Sequence, residues 1–115
     1  MLDWNTYRTQ LIAGIGQFGA ISPDTVRGYQ ALSGAARKNG RLDAKTVELI
    51  AIAVSVTTRC DGCIAVHTEA ALKHGASRDE IADALSVAVA LNAGAAMVYS
   101  ARAMDAVSAT LASAG

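Results

Sequence analysis

Hydrophobic and polar positions along the chain follow helical spacing from end to end. Tyr7, Leu11, Ile12 and Ile15 recur at intervals of four, one and three, placing them on one side of a first helix capped by Asp3. The pattern fades among Gly14, Gly16 and Gly19, where the helix is expected to end. Ser22-Pro23-Asp24 then opens a second helix with a cap, a proline at the first helical position and an acid at the positive dipole end. Gly40 closes it. Asp43 caps a third helix, Lys45 to about Thr57, and the run from Leu49 to Thr58 carries no charge and is expected to be largely enclosed. The β-branched pair Thr57-Thr58 with Arg59 marks a break before a fourth helix, which starts around Cys60 to Gly62 and ends at Gly75. Ser77-Arg78-Asp79-Glu80 is a capping box for a fifth. Asn92-Ala93-Gly94 is expected to separate it from a sixth, ending near Leu111.

These elements predict an all-α, single-domain helical bundle of about six helices covering residues 1–115. The last two helices are apolar around most of their circumference, with Asp83 and Ser86 as the main polar positions of one and Ser100, Arg102 and Asp105 of the other. Helices of that kind require burial nearly all round, more than so small a domain supplies alone, and predict a homo-oligomer. The charge-free stretch between Asp83 and Arg102 approaches the length of a membrane span. Ser86, Asn92, Gly94 and Ser100 interrupt it, so a buried helix pair and no membrane is the expectation.

Composition narrows the class further. Hydrophobic residues make up 52% of the chain and charged residues 17%, which excludes intrinsic disorder. Ten basic and ten acidic residues cancel, which argues against nucleic acid as a partner. Aromatic residues are only 4% and there is one proline, a balance that favours helices over strands. The N-terminus shows no secretory signal, so a cytoplasmic location, with thiols kept reduced, is expected. Two cysteines in that setting point to catalysis or metal binding rather than to a structural staple.

The chemistry-bearing motif is Cys60-Asp61-Gly62-Cys63, with His67 four residues further on. On a helix, positions 60, 63 and 67 share one face. A thiol at a helix start meets free N–H groups and the positive dipole end, both of which favour thiolate, and a nearby imidazole can take its proton. A second cysteine one turn away can convert a sulfenic acid into a disulfide. A zinc site would need His74 or a carboxylate beside Cys60, Cys63 and His67, and His74 stands about 10 Å further along the helix. Glu48 reads two ways: an ion pair with Lys45 three residues before it, or a carboxylate folded back to share in proton transfer near the cysteines. His74 is assigned a dipole contact at its helix end, and Trp4, Tyr29 and Tyr99 are assigned to packing.

Glu48, Cys60-Asp61-Gly62-Cys63, His67, Ala71, Gly75 and Ser77-Arg78-Asp79-Glu80-Ile81 together resemble the AhpD-like core of the carboxymuconolactone decarboxylase superfamily. The resemblance runs from about Leu42 to Met104, and the Glu-x11-Cys-x2-Cys-x3-His spacing is far more specific than a bare CxxC. It implies an all-helical fold assembled as a dimer, trimer or hexamer, with the site close to a subunit interface. It also implies cofactor-free reduction of hydroperoxides: Cys63 as the peroxidatic nucleophile, Cys60 as the resolving thiol, and His67 with Glu48 as a proton relay. An external dithiol, in the AhpD group a lipoyl-bearing protein, would reset the disulfide. AhpD proper carries a histidine just before the second cysteine, where this chain has Gly62, and this chain holds a single copy of the core. An enzyme of the decarboxylase type is a further alternative, although that branch of the superfamily lacks the cysteine pair. A redox-sensing or metal-binding oligomer without turnover is the alternative from a different functional class.

Overall fold

The computed structural model of the protein describes residues 1–114, which form five α-helices and no sheet. They are α1 (Trp4–Ile21), α2 (Pro23–Asn39), α3 (Ala44–Thr58), α4 (Asp61–Lys73) and α5 (Arg78–Ala114).

The helix starts follow the capping chemistry of the sequence. Asp3 accepts from the Thr6 N–H at 3.2 Å and Asp43 from the Thr46 N–H at 2.7 Å. Those backbone hydrogen bonds hold both carboxyl groups below the usual aspartate range. Ser77 and Glu80 exchange the reciprocal bonds of a capping box, at 2.9 and 3.0 Å. Gly40 and Gly75 take the left-handed conformation at φ 73° and 88°, where glycine carries no side-chain penalty, and turn the chain out of α2 and α4.

Two expected helix ends are absent. α1 continues through Gly14, Gly16 and Gly19 to Ile21. A Cβ on Gly19 would meet Val26 Cγ2 at 3.2 Å, so this glycine serves the close approach of α1 to α2 rather than a stop. Asn92-Ala93-Gly94 is likewise no break, and α5 runs unbroken for 37 residues, about 55 Å, in place of two helices. Asn92 bonds back to the Ala88 carbonyl of its own helix at 2.7 Å, and the alanines around Gly94 offset its weak propensity.

The core is thin. Ile52 of α3, Ala71 of α4 and Ala76 form its centre, with Leu49, Ile81 and Leu85 packed against them. α3 is enclosed on one side only: Ile52 and Ser55 are buried, whereas Ile50 and Val54 are about half exposed. The absence of charge from Leu49 to Thr58 therefore does not mean enclosure within one chain. α5 packs on α3 through its first turns, and from Val89 to Ala114 every residue is exposed. The expected buried helix pair is thus a single, largely uncovered arm, long and apolar enough to cross a membrane by length and composition. The radius of gyration is 19.5 Å, against about 13 Å for a compact domain of this size.

Lys45 does not pair with Glu48. It reaches across to Glu80 at 2.7 Å and ties the start of α3 to the start of α5. That contact holds the Glu80 carboxyl below, and the Lys45 ammonium above, its ordinary range. Glu48 is left free to turn towards α4.

Candidate active site

The α3–α4 corner sets the cysteines. Arg59 ends α3 in the left-handed conformation, φ 54°, an uncommon one for a residue with a side chain. The Cys60 N–H then bonds to the carbonyl of the buried Ser55 at 3.1 Å, which fixes the chain as it enters α4. Cys60 is consequently the N-cap of α4, not its first helical residue, and its Sγ accepts from the Cys63 N–H at 3.2 Å. Cys60 and Cys63 are joined as a disulfide, with Cα atoms 5.2 Å apart. Both sulfurs sit at the positive end of the α4 dipole, the setting that favours thiolate once the bond is reduced.

His67 lies one turn beyond Cys63. Its Nδ1 is 2.7 Å from Oε2 of Glu48, which is only 7% exposed. A carboxylate only accepts, so against ionised Glu48 it is Nδ1 that donates, and a ring carrying its one hydrogen there would present Nε2 bare as a base. The four residues singled out in the sequence are therefore brought together: the cysteines joined, His67 beside them on α4, and Glu48 behind His67.

The disulfide and His67 face a pocket of about 390 Å³. Leu11, Ile12 and Ile15 of α1 and Val66 of α4 make it mostly apolar, while Tyr29 and Ser33 of α2 border it. Tyr29 is thus a pocket residue, 62% exposed, rather than a packing residue. Tyr99 is also exposed, on the outer half of α5, where the Arg102 guanidinium lies 5.0 Å from its ring centre. Trp4 does pack, edge-on to Tyr7. His74 is the exposed C-cap of α4. Among the described residues, no three His, Cys, Asp or Glu side chains converge as a metal-ligand set.

α1 is seated on α4 by two features that the sequence did not reveal. Arg8 Nε donates to the Ala65 carbonyl at 2.6 Å and its Nη1 lies 3.4 Å from Glu69. Gly62 provides the second: a Cβ there would fall 2.8 Å from Leu11 Cδ2. Leu11 therefore occupies the space that a side chain at position 62 would need. Gly62→Val is expected to push Leu11 out and loosen the α1 wall, lowering stability by about 1–3 kcal/mol in thermal unfolding. Faster amide exchange should accompany it in α1 and not in α3.

Arg37 is a further residue that the sequence reading does not single out. Its Nη1 lies 3.7 Å from Oε1 of Glu48. A signal is present in the spacing, because Tyr29, Ser33 and Arg37 recur every four residues and so share one face of α2.

Fold and site together define a class: an all-α protein with a helix-start cysteine pair and a histidine–carboxylate couple at one pocket. Residues 23–106 match the family model of the carboxymuconolactone decarboxylase family, and the chain belongs to that family. The match begins earlier than the resemblance in the sequence and takes in α2. An uncharacterised protein from Haemophilus influenzae is 50% identical over 106 residues, covering 92% of this chain and 94% of that one. A second, from Cupriavidus necator, is 33% identical over 102 residues, covering 89% and 90%. The crystal structure of an apo carboxymuconolactone decarboxylase family protein from Legionella pneumophila aligns with a TM-score of 0.73 at 34% identity. It covers 85% of this chain and 88% of that one.

Proposed function

We propose that Cys60 and Cys63 are a redox-active dithiol–disulfide pair, with a hydroperoxide as oxidant and an external dithiol as reductant. One observation carries the reading: the cysteine pair shares a pocket with His67, whose Nδ1 is bonded to Glu48 at 2.7 Å. In the reduced chain His67 Nε2 takes the Cys63 proton. The thiolate attacks the terminal peroxide oxygen, the O–O bond breaks, and an alcohol leaves with the proton. The Cys63 sulfenic acid condenses with the Cys60 thiol, releasing water and forming the disulfide. Two thiols of the external dithiol then restore both cysteines and become a disulfide themselves.

A second reading, a thiol switch oxidised once and reset slowly, is favoured by Gly62. With glycine at position 62, His67 is the one histidine among the residues lining the pocket, and Leu11 fills the space beside Gly62. Titrating the reduced protein with cumene hydroperoxide, with and without excess dihydrolipoamide, separates the two. Sustained consumption supports the peroxidase, consumption of one equivalent supports the switch, and an unreactive pair contradicts both.

Self-association belongs to the same proposal. The exposed apolar side chains of α5, among them Val89, Leu91, Met97, Val98 and Leu111, need cover that the single chain does not supply. A second copy of the chain is the proposed cover. Light scattering in detergent-free buffer is expected to give a multiple of the chain mass. A monomer that partitions into lipid vesicles would instead support a membrane role for α5.

A further inference from the structure

The carboxylate behind His67 is held from two sides. Oε2 of Glu48 accepts from His67 Nδ1 at 2.7 Å, and Oε1 lies 3.7 Å from Arg37 Nη1. The first is a hydrogen bond and the second a longer ion pair, and because they use different oxygens they favour one orientation of the carboxyl group about its last torsion, which is otherwise broad. The other cation near Glu48 in sequence, Lys45, is engaged by Glu80. Arg37 comes from the α2 face that borders the pocket through Tyr29 and Ser33. That face therefore shapes the pocket at one end and reaches the carboxylate at the other. Arg37 itself does not line the pocket, so any effect on the cysteines passes through Glu48 and His67.

We propose that Arg37 is a positioning residue for the His67 base. By holding Oε1 of Glu48, it keeps Oε2 on Nδ1 and maintains the tautomer in which Nε2 is bare. The effect on rate rests on the thiol-redox reading of the site, whereas the effect on the tautomer is readable without turnover. Arg37 is partly exposed, and Glu48 keeps its bond to His67 when Arg37 is replaced, so the fold is expected to persist. Lysine retains the charge but offers a single flexible ammonium in place of a planar fork, and should restore the function in part.

The test is the nitrogen-15 spectrum of the His67 ring in the full chain, recorded well above the ordinary imidazole range. The rate at which hydroperoxide forms the disulfide in the reduced chain is measured alongside. Wild type, Arg37→Gln, Arg37→Lys and Glu48→Gln are compared, with the exposed His74 as internal reference. Arg37→Gln is expected to shift His67 away from the Nδ1–H form and slow the reaction about two- to fivefold, the range of a partly exposed ion pair. Arg37→Lys should recover most of both. A wild-type tautomer in Arg37→Gln, with Glu48→Gln altered, overturns the proposal and leaves the redox reading intact. A wild-type chain inert to hydroperoxide overturns the redox reading, and the tautomer shift alone then decides for or against Arg37.

Discussion

Serine at either position of the cysteine pair is expected to abolish dithiol-driven hydroperoxide consumption, by at least about 10³-fold. A serine hydroxyl is scarcely ionised near neutrality and cannot form the disulfide, so neither variant completes the cycle through the Cys60–Cys63 bond. The variants nevertheless fail at different points. Cys60→Ser keeps the Cys63 thiol, which should consume one equivalent of peroxide and stop as a sulfenic acid that dimedone captures. Cys63→Ser keeps only the N-cap thiol, and no sulfenic acid should be trapped. Folding does not confound the comparison at position 60. Cys60 already caps α4 through its sulfur, at 3.2 Å from the Cys63 nitrogen, and serine is a preferred N-cap residue. A trapped sulfenic acid in Cys63→Ser and none in Cys60→Ser would reverse the assigned order of the thiols.

Glu48→Gln should have the next largest effect, slowing disulfide formation about 10²-fold while leaving both cysteines in place. The side chain keeps its shape but trades one acceptor oxygen for an NH2 donor. Two donors, His67 Nδ1–H and the Arg37 guanidinium, face Glu48, and an amide has one oxygen to offer them. When the amide nitrogen faces the ring, His67 is satisfied only by moving its hydrogen to Nε2, which removes the base from the pocket side. Single-turnover oxidation of the reduced chain measures the loss. An unchanged rate would mean that Glu48 is a structural partner of α4 and takes no part in proton transfer.

Local rules make much of this legible. Asp3, Asp43 and the Ser77–Glu80 box start their helices as written, and Cys63 and His67 share a face of α4 by helical spacing, whereas Glu48 reaches His67 from α3, which spacing alone left open. Those rules fail where the outcome depends on what lies opposite a residue. Gly19 reads as part of a helix end and Gly62 as a departure from AhpD proper, yet each makes room for a neighbour, Val26 and Leu11. Lys45 stands one turn before Glu48 and is its nearest cation in sequence, but Glu80 from α5 takes it and leaves Glu48 to His67 and Arg37. The apolarity of α5 demands cover, and that much is written in its residues. The cover proposed for it, a second copy of the chain, is not specified by any pattern within it.

The most direct test of the central claim is the intact mass of the fully reduced chain before and after one equivalent of cumene hydroperoxide. A loss of the mass of two hydrogens, confined to the peptide holding Cys60 and Cys63 and reversed by dihydrolipoamide, is the predicted result. An unchanged mass, or oxygen added elsewhere with both thiols still free, would contradict a redox role for the pair.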